Sequence, residues 1–136
     1  MSTAVQAAST GSTRLWAGRI SSVLVVAFLL FDGAIKLIPL DVVITTSQEL
    51  GIPPQLARTL GVLTLICTLL YAFPRTAVLG AILLTGYIGG AIYVHVRAGS
   101  PMLSHTLFGV YLGLLAWAGL WLRDARLRAV IPWRRD

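Results

Sequence analysis

Charged side chains are scarce in this chain of 136 residues. Lys, Arg, Asp and Glu make up 12% of the residues, about half of the roughly 25% that is typical of a soluble domain. So few charges cannot cover a protein surface in water, whereas 57% of the residues are apolar. The composition therefore predicts that most of the surface faces a lipid bilayer.

Cysteine is nearly absent, since Cys67 is the single one and lies in an apolar run. The chain therefore has no dithiol redox centre or internal disulfide of its own. It also contains no nucleotide motif, no phosphate-binding glycine loop and no Ser/His/Asp nucleophile pattern. The two histidines do not follow a metal-ligand spacing. We accordingly expect no catalytic residue and no metal site in the chain.

Proline is missing from the interior of four long apolar segments, at residues 15–38, 55–73, 76–96 and 102–122. At about 1.5 Å per residue, about 20 residues cross a hydrocarbon core of about 30 Å. The segments do not alternate in polarity as barrel strands do, so a backbone in lipid must be helical there. The sequence thus predicts an all-α protein, a transmembrane four-helix bundle over residues 14–123.

The basic residues flank these segments unevenly. The net charge is +6, and Arg14, Arg19, Arg75 and the five arginines after Leu122 fall on one side if both termini share that side. The positive-inside rule then predicts a multi-pass protein of a bacterial plasma membrane with both termini in the cytoplasm. Because the charges form no groove-reading stripe, we expect no nucleic-acid partner.

Three shorter regions complete the predicted organisation. Residues 1–13 are small and polar, which predicts a disordered tail, and residues 124–136 form a basic cytoplasmic tail. In the longest outer loop, residues 40–52, we expect Asp41 to cap a short helix that runs through Leu50 and ends at Gly51. Such a helix would lie on the membrane surface. Its shared face would consist of Val42, Val43, Thr46 and Leu50.

Glycines in the third and fourth segments form two Gly-x-x-x-Gly pairs, Gly86 with Gly90 and Gly109 with Gly113. Small residues at this spacing allow close approach of helices in lipid. A short loop joins the two segments, so the pairs predict antiparallel packing within one chain. Contact between two copies in a homo-oligomer is the alternative.

Ionisable groups inside the segments form the candidate site. Asp32 and Lys36 lie four residues apart, the spacing and order of a helical ion pair, in a region where a lone charge costs at least about 2.5 kcal/mol. The pair either sits near the interface with Lys36 extending outward, or lines a site. The same outer half contains Arg58, His95, Arg97 and His105. Facing inward, these six residues would form a polar ligand pocket; each alone also fits an interfacial position.

Three stretches resemble the DoxX-like family of small four-helix membrane proteins. They are residues 31–36 (FDGAIK), residues 71–83 (YAFPRTAVLGAIL), and residues 85–91 (TGYIGGA) running on to 95–101 (HVRAGSP). The resemblance covers about residues 20 to 132. The family often has a glutamate in its second helix where this chain has Thr64, so a proton or cation role for that position is not expected here.

The resemblance implies a link to quinone-coupled redox assemblies, although most DoxX-like members have no assigned activity and a fold does not give a function. The favoured interpretation is a non-catalytic subunit, or a binder of a small ligand such as quinone, among other membrane or redox subunits. A structural assembly protein without a ligand is the first alternative. A small proton-coupled transporter, suggested by the titratable groups within helices, is the second.

Overall fold

The structure is a computed structural model that describes residues 2–38 and 40–134, and the regular structure in these ranges is helical throughout. The α-helices are α1 (Ser2–Leu37), α2 (Asp41–Glu49), α3 (Leu56–Ala72), α4 (Ala77–Ala98), α5 (Phe108–Arg123) and α6 (Ala125–Arg128). A π-helical turn at Met102–Thr106 leads into α5. The predicted all-α class is confirmed.

Three helical segments are long and apolar enough to cross a membrane: Thr10–Leu37, Ala77–Ala98 and Met102–Arg123. The third runs through the π-helical turn into α5, as a continuous apolar segment of 22 residues. Helix α3 is also apolar but has only 17 residues. The chain is therefore a helical, multi-pass membrane protein, as the composition predicted.

The beginning of the chain differs from the expectation. A disordered tail was predicted over residues 1–13, yet α1 already begins at Ser2 and continues for 36 residues. Alanine, the strongest helix former, recurs in this stretch and favours extension of the helix. The Thr10 hydroxyl also donates to the carbonyl of Gln6, at 2.7 Å, along the same helix.

The basic tail after α5 folds back on the bundle up to residue 134. Asp124 caps α6 by accepting hydrogen bonds from the backbone N–H groups of Arg126 and Leu127, at 2.9 and 3.3 Å. Arg128 donates from Nη1 to two carbonyls at the end of α5, at 2.7 and 2.9 Å. These bonds satisfy carbonyls that a helix C-terminus leaves unpaired.

The four long helices form a ring in which α1 packs against α3 and α5, and α4 packs against the same two helices. Short connections make α3–α4 and α4–α5 antiparallel neighbours. The second of these contacts was predicted. The core at the centre of the ring is lined by side chains from all four helices, including Val25, Leu29, Tyr71, Leu84, Ala116 and Leu120. We refer below to the two ends of this bundle as the Lys36 end and the Arg123 end.

Close contacts between helices occur at glycines other than most of those predicted. A Cβ at Gly61 would lie 2.8 Å from the carbonyl oxygen of Gly33, and a Cβ at Gly18 would lie 2.8 Å from that of Gly119. Glycine is therefore required where α1 crosses α3 and α5. Gly80 plays the same role for α4, because a Cβ there would overlap the backbone of Tyr71.

Of the two predicted Gly-x-x-x-Gly pairs, only Gly109 packs as expected, against Ile88 and Ile92 of α4. Among the described residues, a Cβ at Gly86, Gly90 or Gly113 would meet no atom within 4 Å beyond the adjacent turns of its own helix. The prediction of packing within the chain is wrong for these three glycines. Spacing identifies glycines that can lie on one face, but the rotation of the helix decides whether that face meets a neighbour.

Helix α2 confirms the short helix that was predicted in the longest loop. Asp41 was predicted to be the cap, but it is the first helical residue; Leu40 is the N-cap and no side chain caps the helix. The chain leaves α2 through Gly51 at a φ of 69°. Glycine is favoured there because that φ is in the left-handed region. The loop therefore places a helix across the Lys36 end of the bundle.

Candidate functional site

A pocket of ≈ 490 Å³ lies at the Lys36 end, between α1, α2, α3 and α4. Its polar groups include Asp32, Lys36, Tyr87 and His95. Its apolar wall includes Val42, Val43, Leu50, Ile52, Leu60 and Val94. A concave, mainly apolar site with a few convergent polar groups is the usual form of a small-molecule site, and the volume falls within the customary range of about 300 to 1,000 Å³.

The predicted ion pair is present at the base of this pocket. Lys36 Nζ lies 2.5 Å from Asp32 Oδ2, and the side chains of Lys36 and Asp32 are 24% and 26% exposed. Lys36 Nζ also donates to the Tyr87 hydroxyl of α4, at 3.2 Å. Gly61 allows this arrangement, because a Cβ on α3 at that position would lie 2.9 Å from the Lys36 Cβ. The charges of Asp32 and Lys36 thus balance each other, and the bond from Lys36 to Tyr87 connects α1 to α4.

His95 lines the pocket near the end of α4 and is held by a local turn. The helix ends at Gly99, whose φ is 69°, and the chain returns so that Ser100 N–H donates to the His95 carbonyl at 3.0 Å. This is the usual glycine-terminated helix end. It places Ser100 Oγ 3.0 Å from His95 Nδ1. The other ring nitrogen of His95 makes no hydrogen bond with the described part of the chain.

His105 belongs to the neighbourhood of His95 but not to the pocket. The two rings are 6.0 Å apart between centroids, and His105 Nδ1 pairs with Ser104 Oγ at 2.7 Å on the exposed side of the π-helical turn. Within residues 2–38 and 40–134, no group of three or more His, Cys, Asp or Glu residues comes together.

Arg97 lies outside the pocket but holds one of its walls. Its Nη2 donates to the Leu50 carbonyl at 2.9 Å, beside Gly51, where a Cβ would lie 3.0 Å from the same nitrogen. Leu50 is a pocket residue at the end of α2. Arg97 therefore fastens α2 across the pocket.

Arg58 is exposed and forms no ion pair or hydrogen bond with the described residues. Its neighbour Ala57 lines the pocket, and one residue along a helix rotates the side chain by about 100°. The structure therefore brings together Asp32, Lys36 and His95 of the predicted set, and leaves Arg58, Arg97 and His105 outside.

Sequence reasoning missed Tyr87 and the role of two glycines. Gly86 and Gly90 also line the pocket, and they leave open space at these two positions of its α4 wall. Tyr87 precedes His95 by eight residues, a spacing that puts both on one helical face. That periodicity, counted back from His95, is the signal that identifies Tyr87 as a pocket residue.

The Arg123 end contains a hydrogen-bonded chain that the sequence did not reveal. Arg123 Nε donates to Ser22 Oγ at 3.2 Å, Ser22 lies 2.9 Å from the Tyr71 hydroxyl, and that hydroxyl donates to the Ala116 carbonyl at 2.6 Å. Tyr71 is fully buried. Arg123 thus reaches inward from the end of α5 to these buried groups.

Comparison with known proteins gives one finding. Residues 20–119 match the model of the DoxX-like family, and this match includes Lys36, Tyr87 and His95. No curated protein and no solved structure matches the chain.

Proposed function

The chain belongs to the DoxX-like family, and from this membership and its pocket we propose that it is a non-catalytic membrane subunit that binds a small neutral ligand of the quinone class. The observation that carries the proposal is the Lys36 ammonium group inside an apolar pocket. An ammonium group has three donor positions. Asp32 and Tyr87 use two of them, which leaves the third for a ligand.

The other polar groups add to this donor set. The Tyr87 hydroxyl accepts from Lys36, so its own proton is free to donate. The unbonded ring nitrogen of His95 can donate or accept, according to its tautomer. Because Asp32 balances the charge of Lys36, the site favours a neutral ligand with hydrogen-bond acceptors.

A quinone fits these groups by its chemistry. Its carbonyl oxygens accept hydrogen bonds, and its ring and tail suit the apolar wall of the pocket. Gly86 and Gly90 carry no side chain and leave room for a ring at these positions of the α4 wall. When bound, a quinone supplies reversible electron-carrier chemistry. The residues of this chain would bind and orient it, while an associated redox subunit would exchange electrons with it.

The proposal includes a topology of four membrane spans with both termini in the cytoplasm of a bacterial plasma membrane. Helix α3 would be the fourth span, because 17 residues reach about 25 Å and lie at the short end of the transmembrane range. The excess of arginine at the Arg123 end supports a cytoplasmic location for that end. Labelling Ser12→Cys and Ser100→Cys in whole cells with an impermeant maleimide tests this. Ser100→Cys should react from outside the cell and Ser12→Cys, in the cytoplasm, should not. The native Cys67 should give no background, because it is buried.

The binding test uses the full chain in lipid nanodiscs, titrated with a short-tail benzoquinone. A hydrogen bond from a charged donor contributes about 1.5–3 kcal/mol, so Lys36→Met should weaken binding about 10- to 100-fold. Tyr87→Phe removes a neutral donor and should weaken it about fivefold. Arg58→Gln is the matched control, since Arg58 is exposed and outside the pocket.

A second pair of variants tests the location without changing any polar group. Gly90 lines the pocket and Gly89 does not, although a Cβ at either position meets no atom within 4 Å. Gly90→Leu should abolish quinone binding and Gly89→Leu should preserve it. Equal binding by the two variants would refute the pocket as the site and would favour an assembly protein without a ligand.

A further inference from the structure

A second cleft, of ≈ 350 Å³, lies at the Arg123 end, between α5, α6 and the start of α4. Its charged lining residues are Arg123, Asp124 and Arg126. We propose that this cleft binds a phosphate oxyanion carried by an anionic phospholipid headgroup. The site is separate from the pocket at the Lys36 end and does not depend on ligand binding there; it rests on the proposed topology only for the cytoplasmic location of the Arg123 end.

Arg123 is held in place by one nitrogen and presents the others. Its Nε donates to Ser22 Oγ, which is fixed in turn by the buried Tyr71 hydroxyl. Its two terminal nitrogens have no hydrogen-bond partner in the described ranges. The planar guanidinium group suits a phosphate, with which it can form two parallel hydrogen bonds.

Arg126 supplies the second cation. Its side chain is exposed. Its backbone N–H donates a hydrogen bond to Asp124 Oδ1 at 2.9 Å, which leaves the guanidinium group available for a ligand. Asp124 also lines the cleft, but the same carboxylate oxygen accepts the two N–H groups at the start of α6. Two arginines and one aspartate leave this lining with a net positive charge of one. A cleft with this charge attracts an anion.

The position of the cleft favours a lipid as the source of the phosphate. Phe73, which precedes the cleft residue Pro74, is 63% exposed, and Trp133 is 67% exposed at the same end. Trp is enriched at the headgroup level of membrane proteins, which fits Trp133 at this end. Basic pockets between helices on the cytoplasmic side are suited to acidic lipid headgroups.

The test places the full chain in nanodiscs of phosphatidylcholine with a minor fraction of phosphatidylglycerol, and counts the retained lipids by native mass spectrometry. Arg126→Gln should reduce phosphatidylglycerol retention about fivefold, the effect of one basic residue near an anionic headgroup. Asp124→Asn should raise it about fivefold, because asparagine preserves the helix cap while removing the negative charge. Arg19→Gln, which removes an exposed cation outside the cleft, should change it less than twofold.

Two outcomes would overturn the proposal: equal retention by Arg126→Gln and Arg19→Gln, or no gain with Asp124→Asn. Inorganic phosphate, added to nanodiscs of phosphatidylcholine alone, separates the two sources of the anion. No phosphate binding, together with retained phosphatidylglycerol, assigns the site to lipid. Phosphate binding that Arg126→Gln abolishes supports the same oxyanion site with free phosphate as its ligand.

Discussion

The close approach at Gly80 gives a sharp prediction of stability when it is compared with Gly89 in the same helix. A Cβ at Gly80 would overlap the backbone nitrogen and Cα of Tyr71, and it would also press on Leu70. Backbone atoms cannot rotate away as a flexible side chain can. The loop between α3 and α4 is also short, spanning residues 73–76, so the two helices cannot separate without distortion there.

The two substitutions should change the free energy of unfolding in opposite directions. Overpacking costs typically about 1–3 kcal/mol and occasionally more, and a contact with backbone belongs at the upper end. Alanine is favoured over glycine in a helix by up to about 1 kcal/mol, and this gain should appear in full at Gly89, where a Cβ meets nothing within 4 Å. Gly80→Ala should therefore be about 3 kcal/mol less stable than Gly89→Ala, a difference of about a hundredfold in the unfolding equilibrium.

Reversible unfolding by SDS in mixed micelles, followed by the fluorescence of the four tryptophans, measures this difference directly. Both variants change the same residue type, in the same helix, by one methyl group. If Gly80→Ala were as stable as Gly89→Ala, the close crossing of α3 and α4 at Tyr71 would be refuted.

Three further perturbations have defined outcomes. Asp32→Asn and Lys36→Met should each lower the free energy of unfolding by about 1–2 kcal/mol, and the double variant by less than their sum, because a partly buried charge is costly mainly when it loses its partner. A double-mutant cycle in SDS unfolding measures these values, and strictly additive losses would contradict the prediction. Tyr71→Phe should lower the free energy of unfolding by about 1–2 kcal/mol, because the hydrogen bond to the Ala116 carbonyl is lost. Unchanged stability would contradict this prediction. Arg97→Gln should speed amide hydrogen exchange in α2 while α3 keeps its protection, and unaltered exchange in α2 would show that Arg97 does not fasten it.

Features that depend on local spacing could be predicted from the sequence. The pair of Asp32 and Lys36 follows from a separation of four residues on one helix. The end of the short helix α2 follows from Gly51, although Asp41 does not cap its start as predicted. These predictions need no knowledge of neighbouring helices, which is why they agree with the structure.

Features that depend on helix rotation could not be predicted. Arg58 and Ala57 are adjacent, yet only Ala57 lines the pocket. The sequence could not show this, because apolar residues surround α3 and no polar stripe marks its inner face. The glycine pairs fail for the same reason. The helix crossings use Gly18, Gly33 and Gly80, which belong to no predicted pair, while Gly86 and Gly90 line a pocket instead.

The region between the two polar ends bears on the choice between binding and transport. Thr64 and Thr68 are fully buried in α3, and each hydroxyl donates to a carbonyl of its own helix, at 2.8 and 2.6 Å. Around them lie apolar side chains such as Val25, Leu29 and Leu84. A proton or ion crossing the bundle would need polar partners that exchange along its path, and a threonine bound within its own helix is not such a partner. A carboxylate at position 64 would supply one. With threonine there, the geometry is better suited to the ligand pocket that we propose at one end than to a path that leads through the bundle.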